Sequence, residues 1–325
     1  MHGSITRRAL FASALLCALL TVDSVARAGA WTTPEGVLWL KVAWFRLDSD
    51  RLFVDSLREG VFCAEENRFL EEGDRGPYDC NLEGGGGLRT DQVFLEFAFG
   101  IHKRIDFRLQ LPIILAGEFV SDGTPATRRG VGDLRLTTQV LIVDSPVVVA
   151  ANMEVKAPTG FFTADAVGVP LGEGQWDVAF RGLISGSLLG GRLWMGAEVG
   201  YRIRTPNDEL GFTGDGLNLG DEILVVAEGG GRPIDGLYLS LRGELLYGFA
   251  SKDDIFELPG RRVAYIQPGI AISPFAFAGD SFREWTDLSL EFGVRIPVWG
   301  RNWPADPIYF LGLSKSIRLF EPYSG

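Results

Sequence analysis

The sequence predicts an all-β fold, a transmembrane antiparallel up-and-down β-barrel of about 12 strands. Three observations lead to this prediction. Apolar and polar residues alternate along many stretches of the chain, which is the period of a β-strand. The connections between these stretches are alternately short and long, as in bacterial outer-membrane barrels. The chain also opens with the features of an export signal.

Residues 1–28 are expected to be a cleavable signal peptide. A pair of arginines precedes an apolar run that ends at Leu20, and Ala26-Arg27-Ala28 fits an A-x-A cleavage site. The mature chain is expected to begin at Gly29, with Trp31 as the alternative start. The few residues left before the first predicted strand are expected to be too short to form an N-terminal hatch. The arginine pair also loosely resembles a twin-arginine signal, and that alternative stays open. Residues 29–325 are then expected to form one outer-membrane barrel domain.

The composition excludes several classes of function. The 325 residues are 46% hydrophobic and 22% charged, with 42 glycines and 22 phenylalanines but only two histidines and three cysteines. A net charge of −11 argues against a nucleic-acid partner, because such a protein needs a basic face. The only histidine outside the signal is His102, in a predicted tight turn without a nearby nucleophile. We therefore expect no enzyme activity, no cofactor and no metal site.

Two cysteines remain once the signal is removed, Cys63 and Cys80. An even number in an exported chain predicts a disulfide bond, whereas two thiols without histidines fall short of a zinc site. Both lie in the longest irregular segment, residues 48–89, which is predicted to be an outer loop. We expect this loop to fold over or into the barrel mouth as a constriction pinned by the disulfide.

Twelve stretches are predicted as strands, and the clearest alternation runs from Asp287 to Ile296. The stretches are 36–47, 90–101, 105–117, 131–143, 146–157, 175–187, 192–205, 221–230, 236–248, 261–273, 284–298 and 307–320. The longest uncharged stretch of the mature chain, 263–279, contains two prolines and is too short for a transmembrane helix. Short connections such as 102–104 are predicted at the periplasmic end, and long ones such as 118–130 and 158–174 at the outer end.

In a membrane barrel the apolar face of each strand meets lipid and the charged face lines the lumen. Alternation alone does not distinguish this from a soluble barrel, so the export signal, the loop lengths and the tryptophans decide. Trp39, Trp194 and Trp285 are predicted near the turn end, and Trp44, Trp176, Trp299 and Trp303 near the loop end, as two interfacial girdles.

The side chains that the alternation turns inward are candidates for the lumen lining. The candidates are Lys41, Glu96, Arg108, Asp133, Arg135, Glu154, Lys156, Arg181, Glu198, Arg202, Arg242, Glu244, Glu291 and Arg295. The alternation turns seven further charged residues inward on the same strand faces, namely Asp106, Asp177, Arg204, Glu222, Glu228, Asp287 and Arg318. These acids and bases are nearly balanced, which favours cross-strand ion pairs over an ion-selective filter. The excess negative charge is then expected in the outer loops.

Three segments carry a resemblance to a known family. They are Val131-Gly132-Asp133-Leu134-Arg135-Leu136, Lys156-Ala157-Pro158-Thr159-Gly160 and Leu171-Gly172-Glu173-Gly174-Gln175-Trp176-Asp177. The sequence resembles the outer-membrane proteins grouped as phenol meta-degradation pathway, or MetA-pathway, transporters, specifically over roughly 130–205. The resemblance implies an outer-membrane barrel that passes small hydrophobic or aromatic compounds, and it brings no binding residues. Physically, the glycines and Pro158 are typical of bends and strand ends.

The function expected from these observations is a passive channel in the bacterial outer membrane for small hydrophobic or aromatic solutes. Its partners would be the lipid bilayer, lipopolysaccharide and the solute. The alternative is a structural or surface-interaction barrel without an open pore, whose acidic loops contact partners or lipopolysaccharide through divalent ions. The sequence does not fix the oligomeric state.

Overall fold

A computed structural model provides the fold of the chain. It describes residues 29–54, 62–63, 68–69, 78–81, 87–121, 124–160, 171–206, 220–249, 251–252, 257–258, 261–277, 287–301 and 303–320. The predicted signal peptide, residues 1–28, lies outside the described residues, as do Trp285 and much of the predicted loop 48–89.

Twelve long antiparallel strands form the wall of the molecule. They are β1 (Val37–Ser49), β2 (Gly87–His102), β3 (Ile105–Ser121), β4 (Leu134–Val143), β5 (Val148–Ala157), β6 (Asp177–Leu188), β7 (Leu193–Arg204), β8 (Glu222–Ile234), β9 (Leu237–Gly248), β10 (Arg262–Ile272), β11 (Ser289–Arg301) and β12 (Ile308–Arg318). Each strand pairs with the next along the chain, and β1 also pairs with β12. This last pairing closes the sheet, so the predicted twelve-stranded up-and-down barrel is confirmed.

The fourth predicted strand is interrupted. Thr124–Val131 pairs with the upper part of β3, and the wall strand β4 resumes only at Leu134. The prediction of a continuous strand 131–143 after a loop 118–130 is therefore wrong in part. Gly130 lies just before this break and has a φ of +156°, a backbone conformation that favours glycine.

Short elements cap the barrel ends. At the outer end Arg51–Val54 pairs with both Tyr78–Asn81 and Trp303–Pro304, and two further short pairings join Phe62–Cys63 to Arg68–Phe69 and Ser251–Lys252 to Glu257–Leu258. A single 3₁₀ turn, Pro274–Phe277, follows β10. Within the described part of the chain, no helix is long and apolar enough to cross a membrane.

The outer surface of the barrel is apolar. Along β7 the odd-numbered side chains from Leu193 to Ile203 point outward, and Val199 and Met195 are 58% and 55% exposed. The even-numbered Glu198, Arg202 and Arg204 on the same strand are buried or nearly so on the inner side. Exposing so continuous an apolar belt to water is unfavourable, whereas the same surface is compatible with the lipid bilayer.

At the outer end the tryptophan prediction holds for Trp176 and Trp44. It is wrong for Trp303, which packs against the buried Val263 and Tyr265. Trp176 is 52% exposed, and Trp44 lies on the same face of β1 as the exposed Val42. Trp39, however, lies on the inner face of β1, with the Lys41 Nζ 6.0 Å from its ring centroid. Trp194 likewise shares the inner face of β7 with Glu198, so the predicted girdle at the turn end is wrong for both residues.

Candidate functional site: the barrel lumen

Charged side chains on β4 to β8 and on nearby outer connections form a connected set of ion pairs inside the barrel, which we call the ionic arc. Glu154 on β5 is its first centre. The Arg181 Nη2 donates to the Glu154 Oε2 at 2.7 Å, and Arg135 and Arg202 lie 3.6 and 3.8 Å from the other oxygen. Arg181 also donates to Glu198 at 3.0 Å. Opposite charges therefore alternate across neighbouring strands, which offsets the cost of desolvating each one.

Glu222, at the start of β8, is a second centre of the ionic arc. It accepts hydrogen bonds from Arg202 at 2.7 Å, from Arg204 at 3.2 Å and from Arg261 at 2.6 Å. Arg261 in turn donates to Glu173, in the outer connection before β6, at 2.7 Å. Burial alone would raise the pKa of the Glu173 carboxyl, but the surrounding Arg261, Arg204 and Lys156 lower that pKa well below its usual value. The Glu173 carboxylate is thus held ionised.

Lys156, on β5, is the third centre and is 2% exposed. Its ammonium lies 2.9 Å from Asp177 and 3.6 Å from Asp133, and it also donates to Glu173. Asp177 is itself 2% exposed. Burying an ammonium group this deeply is costly, and the surrounding carboxylates offset that cost.

The three segments that resemble the MetA-pathway family meet at the interruption before β4. Asp133 accepts hydrogen bonds from the backbone of Gly160 at 3.0 Å and of Glu173 at 2.8 Å. The Thr159 hydroxyl donates to the Gly132 carbonyl at 2.7 Å. A Cβ on Gly160 would overlap the backbone at Gly172, so these segments approach more closely than side chains allow. We call this junction the glycine knot, and its role is to join three chain segments in the wall.

Phenylalanine rings line the lumen on another side of the barrel, across β2, β1 and β12. Phe45 lies edge-to-face with Phe94 at a centroid distance of 4.9 Å and stacks on Phe310 at 5.6 Å. Gly293 on β11 pairs with Phe310, and a Cβ there would overlap the ring. The glycine therefore lets the ring lie flat against the wall. We call Phe45, Phe94 and Phe310 the aromatic strip.

Just below the aromatic strip, Lys41 donates to Glu291 at 2.6 Å. This side of the barrel carries few other lumen charges, and they are paired as well. Gln110 donates to Glu96 at 3.0 Å, and Arg295 donates to Glu244. The lumen thus combines a densely ionic side with an aromatic side.

At the periplasmic end the chain preceding β1 lies inside the barrel. We call residues 29–36 the N-terminal segment. The Ala30 amide donates to the Ser185 hydroxyl at 2.9 Å, and the Trp31 carbonyl accepts from Gln139 at 3.0 Å and from Arg108 at 3.2 Å. The segment therefore makes hydrogen bonds to side chains of β3, β4 and β6.

The N-terminal segment crosses the periplasmic mouth. Gly36 donates to the Gly100 carbonyl on β2, and a Cβ on Gly29 would lie 3.2 Å from the Glu228 carboxylate on β8. In the strand order β2 and β8 are on opposite sides of the ring. Ala30 is fully buried. The expectation that the few residues before the first strand are too short for an N-terminal hatch is therefore wrong. An extended segment of this length is long enough to span the lumen.

The predicted lumen residues occur in five groups. Asp133, Arg135, Glu154, Lys156, Arg181, Glu198 and Arg202 belong to the ionic arc. Arg242, Glu244 and Arg295 form a chain that ends at Glu228. Lys41 pairs with Glu291, and Glu96 bonds Gln110. Arg108 pairs with Asp106 at 3.2 Å and holds the N-terminal segment.

Other residues behave differently from the sequence expectations. Glu173 lies in a predicted loop, yet it reaches the ionic arc; its position inside the Gly-Glu-Gly motif was the available signal. Asp287 precedes β11 and lies 3.7 Å from Lys315. Cys63 and Cys80 lie in different short strand pairings, and their side chains are outside the described residues. The disulfide and the constriction it would pin therefore stay predictions.

Comparisons with known proteins find structural likeness only. No family model and no curated protein matches the chain. The COG4313 outer membrane channel from Pseudomonas putida F1 superposes with a TM-score of 0.66 at 14% identity, over 90% of this chain and 100% of that chain. A mutant of the TodX monoaromatic hydrocarbon channel gives 0.42 at 8% identity, over 87% and 90%. The Ralstonia pickettii toluene transporter TbuX gives 0.39 at 9% identity, over 89% and 90%.

The first of these likenesses shows a shared fold. The chain has the fold of a bacterial outer-membrane channel barrel, and its apolar belt fits the same membrane. The predicted fold class is confirmed.

Proposed function

We propose that the protein is a passive outer-membrane channel for small hydrophobic or aromatic solutes and that it belongs to the MetA-pathway transporter family. The observation that carries the proposal is the aromatic strip inside the lumen. Three rings in mutual contact on a lumen wall offer a surface on which an aromatic solute can stack. The glycine knot supports the family assignment, since the three motif segments form one junction.

The ionic arc supports the same proposal in another way. Its charges neutralise one another, so it gives the lumen no dominant sign with which to select ions. A lumen of this kind favours weakly polar solutes over salts, and it stays rigid because the pairs cross-link adjacent strands.

Liposome swelling tests the proposal. Vesicles containing the protein are challenged with an aromatic alcohol and with a sugar of similar size, and the ratio of the two influx rates is measured. Phe45→Ala is expected to lower the aromatic-to-sugar ratio about fivefold, because one aromatic contact contributes about 1 kcal/mol. Phe180→Ala is the matched control, since this ring is 52% exposed on the lipid side. Equal ratios for both variants and the unmodified protein would exclude solute contact with the strip.

The alternative, a structural barrel without an open pore, has one observation in its favour. The N-terminal segment occupies the periplasmic mouth. Planar-bilayer recordings separate the two functions. A folded protein that shows no conductance and no solute influx, even when residues 29–34 are deleted, is a structural barrel whose outer loops would contact partners or lipopolysaccharide.

A further inference from the structure

The periplasmic half of the lumen contains a buried carboxylate, that of Glu228. Among the described ion pairs it has one cationic neighbour, and a second carboxylate shares that cation. Glu228 on β8 is 8% exposed, and Arg242 Nη1 lies 3.6 Å from it. Arg242 also lies 3.5 Å from Glu244, which Arg295 contacts from its other side. A carboxylate at this depth is costly unless a cation approaches it closely. Glu228 shares this cation with Glu244, so a second cationic partner would offset the cost of its burial.

The backbone of Gly29 reaches this carboxylate. A Cβ on Gly29 would lie 3.2 Å from the Glu228 Oε1. Since N and Cβ of one residue are about 2.5 Å apart, the Gly29 nitrogen lies within about 6 Å of that oxygen. Gly29 has a φ of +88°, and a Cβ there would overlap the Ser185 hydroxyl, so a side chain would not fit. This position beside the Glu228 carboxylate therefore requires a glycine.

We propose that Glu228 binds the α-ammonium group of the mature protein, so that export processing creates the ligand that seats the N-terminal segment. Hydrolysis of the Ala28–Gly29 peptide bond consumes one water, leaving a carboxylate on Ala28 and an ammonium on Gly29. The ammonium supplies Glu228 with a close cation, while Ser185 fixes the next residue through the Ala30 amide at 2.9 Å. The unprocessed chain has a neutral amide at the same place and lacks this ion pair.

The consequence is that the N-terminal segment is fixed across the periplasmic mouth and closes it. The segment is held at one end by Gly36 and Gly100, in its middle by Gln139 and Arg108, and at its free end by Glu228. Losing the last contact frees the terminus while leaving the others in place. The proposal concerns the chain's own terminus and does not depend on which solute passes.

The experiment begins with the mature protein purified from outer membranes. Mass spectrometry gives its first residue, and an amine-selective reagent at neutral pH then measures the labelling rate of the α-amine. We expect a start at Gly29 and an α-amine that labels about tenfold faster in Glu228→Gln than in the unmodified protein. Glu96→Gln is the control, since Glu96 bonds Gln110 and does not approach Gly29.

A second variant retains every lumen side chain. Protein refolded with residues 26–28 still attached carries its ammonium three residues further from Glu228, and its conductance should exceed that of the mature protein. A mature chain that starts at Trp31, or equal labelling of folded Glu228→Gln and unmodified protein, overturns the proposal. Equal conductance of the extended and mature chains overturns it as well, whereas none of these results bears on solute choice.

Discussion

Replacing the lysine at the third centre of the ionic arc gives the most direct test of how the lumen is stabilised. Lys156→Met keeps the apolar stem and removes the charge. Asp177, 2.9 Å from the ammonium and 2% exposed, then loses its nearest cation. Removing one member of a buried ion pair costs about 3–5 kcal/mol. Arg204 stays 3.8 Å from Asp177 and 3.3 Å from Glu173, which offsets part of the loss. We therefore expect the free energy of unfolding to fall by about 3 kcal/mol.

The assay is urea unfolding of the lipid-embedded barrel, followed by tryptophan fluorescence and by the faster electrophoretic migration of the folded form. Lys103→Met is the matched control, because Lys103 is an exposed turn residue and its replacement should change stability by less than about 0.5 kcal/mol. Adding Asp177→Asn to Lys156→Met should recover about 1 kcal/mol, since it removes the unpaired carboxylate. The reasoning is refuted if Lys156→Met costs no more than Lys103→Met.

Two further outcomes follow from the described contacts. Gly293→Ala should lower the free energy of unfolding by about 1–3 kcal/mol, because the new methyl group overlaps the Phe310 ring. Gly186→Ala is the control and should be nearly neutral, since the space around Gly186 is open. Equal unfolding midpoints of the two variants in urea would contradict the packing of the Phe310 ring against Gly293. The lowered pKa of Glu173 means that its ionised form contributes stability above the ordinary carboxyl pKa of about 4.3, and that this contribution is lost as the pH falls through the lower folded value. The difference in stability between the unmodified protein and Glu173→Gln should therefore be largest near pH 7 and shrink below about pH 4; a difference that stays constant down to pH 3 in a pH series of unfolding midpoints would contradict this.

The wall of the barrel was predictable because the membrane imposes a simple rule on each strand. Every second residue must be compatible with lipid. The alternation along β7 or β11 therefore identifies the strand, its lipid-facing side and the residues that line the lumen. The interruption before β4 was not predictable in this way. The break depends on the contacts that Asp133 makes with Gly160 and Glu173 from distant segments.

The contents of the lumen were only half predictable. Charged residues on an alternating strand reveal their direction, and the ionic arc follows from them. Phe45 and Phe310 do not, since a phenylalanine on a barrel strand is expected to face lipid unless the parity is followed residue by residue. The N-terminal segment was missed because its length was compared with that of a folded hatch. An extended chain that uses side chains of the wall as its partners needs very few residues.

The separation of the ionic arc from the aromatic strip gives the lumen a polarity across its width. Fixed arginines and carboxylates on β4 to β8 create strong local potentials on one side, while the rings of Phe45 and Phe310 present a weakly polar surface on another. A molecule with a ring at one end and a hydroxyl at the other has a single orientation that satisfies both sides. Passage through such a lumen would sort solutes by their dipole direction as well as by their size.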